Sequence, residues 1–584
     1  MNKCLRLITA FILFLVTSSF SILQAQYVPT HITNEGIYLF LDELATANLI
    51  DLNSLVKPWS RNYIAEKLAG ADSLRHRLTP RQQSELDFYL RDYAKACITE
   101  PGTGNQEPET ENQKPETGNR EPGTGNRELG TGNREPSTFW FWQKKGTNKR
   151  FDAFCYSDTL FRITVNPIVG GNYYNNANGS FYHWWNGVEA WACAGKFGFW
   201  ASLRDNHESA YLTNPDFQNQ QIGGANYKNM GNGKRDFEEF RGGVTYAWRW
   251  GHTGIIMDQF SWGENNHGAS ILSGRTPAFA RLELDLQPAR WFKFHYVHGW
   301  LNSEVVDSTR SFFTSTAYGI SYREVYHSKF LAANLFTFIP WQELQLSVGN
   351  SIIYDYTSPH IAYLLPVTFF KAIDHALNAN TQNMNSQLFF SASSRNLRNF
   401  HLYGTIFIDE LQMGRMFRKE EHNFVSWKAG AASTILPDSR LIFEYTWTNA
   451  LTFMHMIPTT TFESNCYNLG HYLEDNARDI YAAFEYRPWR TLNIKAYYNH
   501  SIKGPDHTHL GTIPRTTIKP LVPVVWKSAR AGILATLQII NDFHARLGYE
   551  WRNVTGDQDC LDRWTPSVYH GKTGTLTIGL NYGF

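Results

Sequence analysis

After its first 25 residues the sequence has no run of about 18 apolar residues, the length a membrane-crossing helix needs, so no helical anchor is expected. Cysteine is scarce. There are six in 584 residues, none in a C-x-x-C pair, which leaves zinc and thioredoxin-type chemistry without ligands. Cys4 precedes the leader's apolar run; Cys97, Cys155, Cys193, Cys466 and Cys560 are widely spaced, odd in number and read as structural rather than as a disulfide framework. An excess of either charge is missing too: Lys plus Arg is 54, Asp plus Glu 53, net +1. No basic footprint for nucleic acid exists. G-x-S-x-G and H-E-x-x-H are absent. Gly231 to Arg235 has a phosphate loop's glycines but Arg where Ser or Thr is required. Asp506, His507 and His509 offer two imidazoles and a carboxylate with no fourth ligand. No catalytic residue, cofactor or metal is expected.

Aromatic residues, in contrast, are abundant: 15% of the chain, with 19 Trp and 30 Tyr. Trp and Tyr collect at membrane–water interfaces. Residues 1–25 read as a secretory leader, with Lys3 and Arg6 before the apolar run Leu7 to Leu23 and Ala25 at the cleavage site. Residues 26–99 read as a small helical region. Ile37, Phe40, Leu41 and Leu44 recur at helical spacing. Thr79, Pro80 and Gln82 form a capping-box start for a helix whose face is Leu86, Tyr89, Leu90, Tyr93 and Cys97, and Ser60 caps a shorter one. Residues 100–137 hold a drifting seven-residue repeat (GTGNQEP to GTGNREP) with Gly, Pro and almost nothing apolar. That composition predicts a disordered linker.

Residues 138–584 read as the barrel region; from about Phe161 to the end, about 18 strand candidates near ten residues long follow one another, the length a tilted membrane strand needs. Leu282, Leu284 and Leu286 alternate with Arg281, Glu283 and Asp285; Leu441, Phe443, Tyr445 and Trp447 alternate with Ile442, Glu444 and Thr446. The end, LTIGLNYGF, alternates strictly and stops on Phe584, like the closing strand of bacterial outer-membrane barrels. Short turns alternate with long connections. The short ones are placed at Gly195-Lys196, Gly251-His252, Pro288 to Arg290, Pro340-Trp341, Asn396 to Arg398, Leu436 to Ser439, Pro488-Trp489 and Asn541-Asp542; Trp250, Trp291, Trp341 and Trp489 beside them suggest an inner aromatic girdle. A soluble β-propeller or solenoid would also supply many strands, but its connections need not alternate in length. The fold class expected is therefore an all-β transmembrane protein: an antiparallel outer-membrane β-barrel of about 18 strands, preceded by the helical region.

Two patches resemble the capsule assembly Wzi family: Leu160 to Gly171 with His183 to Glu208, and Tyr356 to Asn383, where a Pro-Val-x-Phe-Phe segment enters a loop helix. The resemblance implies an outer-membrane, non-catalytic protein that holds capsular or surface polysaccharide, with a lumen largely blocked by helices and loops. Its partners would be that polysaccharide and outer-membrane lipid, and it would act as a monomer with its helical region in the periplasm. A porin or small-solute channel is the alternative from another class, since a barrel of this size has room for an aqueous channel. An outer-membrane hydrolase is the third.

For polysaccharide, aromatic faces beside fixed polar groups are needed. A first outer loop with Tyr173, Tyr174, Asn175, Asn176, Asn178, His183, Trp184 and Trp185 has that composition, although interface aromatics are expected in any barrel. Arg204, Asp205, Asn206, His207 and Glu208 follow as a polar cluster, readable also as a salt-bridged rim. Arg249, Arg281, Glu283, Asp285, Lys293 and His295 are the expected lumen lining, of mixed sign and suited to pairing across strands. His295 and His298 fall on opposite faces.

Overall fold

The computed structural model describes residues 26–93, 152–157, 161–317, 319–378, 384–418, 421–508, 517–540 and 542–583. The leader, the seven-residue repeat, Cys97, His509 and Phe584 lie outside the described residues.

Eighteen antiparallel strands close into a barrel. They are β1 (Phe161–Asn176), β2 (Gly179–Ala194), β3 (Phe197–Glu208), β4 (Lys234–Trp248), β5 (Gly251–Met257), β6 (Ala280–Ala289), β7 (Phe292–Val306), β8 (Tyr326–Trp341) and β9 (Leu344–Tyr354). The second half is β10 (Asn385–Ser394), β11 (Phe400–Glu410), β12 (Phe424–Ser433), β13 (Ser439–Thr448), β14 (Ala477–Trp489), β15 (Leu492–Lys503), β16 (Trp526–Ile540), β17 (Phe543–Gly556) and β18 (Gly571–Tyr582). The ring shuts where β18 pairs with β1, from Leu576 opposite Asn175 to Tyr582 opposite Val169.

Alternation decides which face meets lipid. On β13, Leu441 and Phe443 are exposed while Arg440 and Glu444 are buried; Phe443 is 52% exposed and Glu444 1%. The same inversion holds for Ile255, Leu346, Ile406, Ile533, Leu547 and Ile578, all exposed. Such a surface is stable only against hydrocarbon, and its charges avoid the roughly 2–4 kcal/mol that Lys or Arg costs at mid-membrane. No described helix is long and apolar enough to cross a membrane.

Trp250, Trp291, Trp341 and Trp489 stand exposed beside the short turns. Several turns are displaced by one or two residues from the sequence reading: 290–291, 342–343 and 490–491 fall later, and 249–250 falls earlier than Gly251-His252. Pro288, Pro340 and Pro488 sit inside register shifts at the strand ends. Proline lacks the N–H of the ladder, so it marks the bulge rather than the turn itself.

Among the described residues three α-helices precede the barrel: α1 (Glu35–Thr46), α2 (Arg61–Ser73) and α3 (Pro80–Tyr93). The capping box is present: the Gln82 amide donates to the Thr79 hydroxyl and the Thr79 amide to Gln82 Oε1. Ser60 accepts from the Tyr63 amide and caps α2. Ile37, Phe40, Leu41, Leu44, Ile64, Leu68, Leu86 and Tyr93 form their shared core.

This unit occupies the short-turn mouth of the barrel. Gln26 donates to the Gly195 carbonyl, Asn48 to the Arg395 carbonyl and Gln345 to the Leu52 carbonyl. From the opposite end, the connections 258–279 and 449–476 fold inward. Phe260, Trp262, Ile271, Phe453, Phe462 and Leu469 pack with Leu55 against Val297, Leu335, Phe389 and Phe407 of the wall, which makes an apolar core within the barrel.

The connection between β9 and β10 takes a different course. It carries a 3-10 turn (Ile361–Leu364) and a helix, α4 (Phe370–Leu377). Tyr363, Phe370 and Met384 pack on Phe294, Tyr296, Phe330 and Ile352, which belong to the lipid-facing set of β7–β9. This connection is a strap on the outside of the wall.

Candidate functional site

The long-connection end carries the aromatic and charged groups. The first candidate segment is not a loop: β1 and β2 run to a tight turn at 177–178, paired from Phe161–Ala194 out to Asn176–Gly179. Gly179 closes the turn at φ 124°, where a side chain is strained. Strand period then splits the predicted set between two faces. Tyr173 and Trp184 point outward; both stand on the wall surface with Val169, Ile578 and Leu580. Tyr174, His183 and Trp185 point inward.

On the inner face, His183 bonds Asn206 at 3.0 Å, and Arg204 lies 4.4 Å over the Trp185 ring while pairing with Glu239 at 3.5 Å. On the outer face, His207 stacks on Trp184 with centroids 4.0 Å apart and sits between Asp205 (3.2 Å) and Asp236 (3.0 Å). The eight residues therefore form two separate constellations across the wall.

The inner constellation continues into residues that sequence reading missed. Tyr174 stacks on Phe181 at 5.1 Å, and Phe181 meets the edge of Tyr569 at 5.6 Å. Arg552 lies 3.8 Å over the other part of that ring and pairs with Glu550 at 2.6 Å. Glu550 accepts from the Tyr497 hydroxyl at 2.5 Å. Asn176 and Asn178 donate to the Val568 carbonyl, which ties the β1–β2 tip to the connection holding Tyr569. α5 (Gln558–Trp564) starts this connection, with Trp564 buried against Trp526.

A second stack lies in the β3–β4 connection. Arg235 is 4.1 Å over Tyr227 and 5.4 Å from Tyr211, and Tyr227 bonds Tyr467 at 2.6 Å. Arg275 lies 4.9 Å over Tyr467 and donates to the Pro215 and Phe217 carbonyls. Burial and the neighbouring Tyr227 push the Tyr467 phenol well up, so it stays neutral and able to donate. Glu208 anchors the connection by accepting from the Leu212 and Thr213 amides and the Thr213 hydroxyl. A guanidinium over an aromatic ring keeps donors free at its edge, which suits it to carboxylate and hydroxyl groups of a sugar chain. The sequence signal was available only in part: Arg552 alternates with Trp551, but Tyr569 and Tyr467 come from connections whose folding is non-local.

The expected lumen lining divides in the same plain way. Arg281, Glu283 and Asp285 face inward: Arg281 bonds Glu283 at 2.8 Å and Asp285 bonds His295 at 2.7 Å. Lys293 lies 5.4 Å from the Tyr63 ring of α2. Glu283, Asp285, Lys293 and His295, with Tyr27, Lys57, Trp59 and His252, surround a cavity of about 150 Å³ at the junction with the helical unit. Arg249 is a correction. β4 ends at Trp248, so Arg249 lies in the exposed turn and not in the lumen. His298 faces outward and bonds the Tyr354 hydroxyl at 2.6 Å. Asp506 pairs with Arg563 at 2.8 Å, and Lys503 also lies 3.5 Å from it, which places cationic side chains on the carboxylate of the Asp506-His507 patch.

No family model matches the chain, and no curated protein matches it. Among solved structures, it is similar to Wzi, an outer membrane protein involved in group 1 capsule assembly in Escherichia coli and a carbohydrate-binding β-barrel. That alignment covers 96% of this chain and 100% of Wzi, at 9% identity and a TM-score of 0.53. Pseudomonas aeruginosa OccD3 (OpdP) aligns over 72% of this chain and 90% of its own, at 10% identity and a TM-score of 0.39. Pseudomonas aeruginosa OccK8 (OprE) aligns over 72% and 97%, at 9% identity and 0.39. The likeness to Wzi is one of fold, and the fold is that of an outer-membrane barrel.

Proposed function

We propose that this protein is a non-catalytic outer-membrane barrel that binds surface polysaccharide at its long-connection end. The observation that carries this reading is the pairing of an occupied lumen with rings and guanidinium groups gathered around Tyr569, Arg552, Tyr227 and Arg235. The helical unit then faces the periplasm, and the protein works as one copy. Wzi's own involvement in group 1 capsule assembly and its carbohydrate binding agree with it.

Two measurements on detergent-purified protein test it together. A glycan array carrying acidic capsule oligosaccharides should retain the wild type, and a planar bilayer should record little conductance. Steady conductance with no glycan retention overturns the proposal in favour of a channel.

A further inference from the structure

The strap between β9 and β10 lies where hydrocarbon is expected. On β8 the inward residues are Leu331, Ala333 and Leu335, which join the core inside the barrel. Asn334 therefore faces outward, and its register partner Asn350 on β9 does as well. Asn334 is seven residues above Trp341, the inner-girdle residue of its own strand. At about 3.3 Å per residue that is about 23 Å along the strand, or about 18 Å of height at a tilt near 40°. The apolar band of such barrels is about 25 Å tall. Both amides thus lie within the band, on its outer side.

Two bare carboxamides there would be poor neighbours for lipid, because each unsatisfied polar group in hydrocarbon costs several kcal/mol. The strap satisfies them. Asn334 Nδ2 donates to the Pro366 carbonyl at 2.9 Å and to the Thr368 carbonyl at 2.8 Å. Asn350 Nδ2 donates to Asn334 Oδ1 at 2.6 Å, and Asn350 Oδ1 accepts from the Phe370 amide at 2.9 Å. The Tyr296 hydroxyl donates to the Tyr363 carbonyl. These bonds also serve the strap, since irregular backbone at membrane depth is tolerated only when its polar groups are covered.

The strap's other side is uncovered and mainly apolar; Lys371 and His375 of α4 are its exposed ionisable groups, and the long Lys371 stem lets its charge reach the interface. Ile361, Leu365, Val367, Phe369 and Leu377 are exposed, Ile361 at 78%. Directly below, where the strap does not reach, Phe338, Leu346 and Phe390 of the bare wall are exposed as well. The apolar belt therefore continues from the wall onto residues 361–369 of the strap.

We propose that the strap is a membrane-embedded element: it replaces the upper wall of β7–β9 as the contact surface for acyl chains of outer-leaflet lipid, and Asn334 with Asn350 hold it there. The occupant follows from continuity with the lipid-facing belt on the strands beneath.

The experiment is photolabelling of the intact protein in single-copy nanodiscs containing a lipid with a diazirine on its acyl chain, followed by peptide mapping. Wild type should be labelled on 361–377 at a yield comparable to that on Phe338, Leu346 and Phe390, with Ile352 and Tyr354 unlabelled. In the Asn334→Ala, Asn350→Ala double variant, label should leave the strap and reach Ile352 and Tyr354, while heat-modifiability shows that the barrel is still closed. Label on Ile352 and Tyr354 in wild type, with none on the strap, overturns the proposal. So does a double variant with an unchanged pattern, or a strap that crosslinks only to a second protein copy.

Discussion

Asp42 is the most informative residue to change. It lies on α1, in the helical unit, but its partners belong to the barrel. One carboxylate oxygen is 2.7 Å from Arg395 Nη2, and the other pairs with Arg440. Burial pushes the Asp42 carboxyl up, and the guanidinium groups of Arg440 and Arg395 outweigh that and hold it well below the usual carboxylate range. Asp42→Asn keeps the shape and removes the charge. Breaking a buried pair by removing one partner costs about 3–5 kcal/mol, because a charge is left uncompensated. Here the lower end applies. Arg440 keeps Asn266 at 2.7 Å and Glu485 at 3.7 Å, and Arg395 keeps the Ser54 hydroxyl at 2.7 Å.

About 3 kcal/mol is about a hundredfold in the ratio of docked to undocked helical unit, at about 1.4 kcal/mol per tenfold. Amide hydrogen exchange in detergent micelles reads that ratio directly when the unit recloses faster than an opened amide exchanges. Protection of α1 amides should fall by about a hundredfold in Asp42→Asn, while β12–β16 amides keep theirs. Replacing Asp42, Arg395 and Arg440 together by Leu, Met and Met should restore much of the loss, since apolar residues of similar volume leave no charge within the triad and Glu485 keeps Lys495 at 3.6 Å. A fall smaller than about threefold, under about 0.7 kcal/mol, would refute the idea that this ion triad fixes the plug.

Other consequences are testable with equally small changes. Glu343, in the β8–β9 turn, is pushed up to about 8 by burial first and then by the Asp51 carboxyl beside it. Its folded value is raised above the ordinary 4.5, so its contribution to plug docking is complete below that pH and is lost as pH rises through 8; proteolysis of the helical unit should quicken over that window, and Glu343→Gln should flatten the dependence. Tyr569→Ala removes the ring between Phe181 and Arg552 and should weaken oligosaccharide binding by about 2 kcal/mol, roughly thirtyfold. Trp184→Ala, on the outer face, should leave that binding constant unchanged in the same titration. Thr79→Ala opens the capping box of α3 and should cost about 1 kcal/mol, seen as faster exchange in α3 alone.

The strand pattern was legible because its period is two and one face is uniformly apolar: Leu441 and Phe443 outside, Arg440 and Glu444 inside. The same period was enough to separate His295 from His298. It misled where strands rise beyond the membrane. There both faces are polar or aromatic, so Tyr173 to Trp185 read as a loop although the two strands stay paired to their tip. Asn334 and Asn350 were silent for another reason. An amide on the lipid side looks like an ordinary alternation error until a distant segment supplies its partners.

Charge pairing explains why the barrel was readable and its contents were not. Midway along the wall, interior charges find partners within strand-neighbour distance: Asp285 sits directly opposite His295, and Lys428 on β12 reaches Glu444 on β13 at 2.9 Å. Such pairs are local in the sheet and follow from alternation alone. At the short-turn mouth the wall presents guanidinium groups from Arg395, Arg440 and Arg487, and the carboxylates that meet them come largely from Asp42, Glu43 and Glu85 of the helical unit. Those partners are hundreds of residues away in the chain, so no window of sequence contains both halves. The wall's guanidinium groups at the mouth draw most of their anions from the helical unit, and the wall's Asp438 in turn takes Arg81 of α3; each surface would be costly to bury without the other. Docking of the plug is therefore a requirement of the wall's own charge pattern, which is why removing a single carboxylate, at Asp42, tests the whole arrangement.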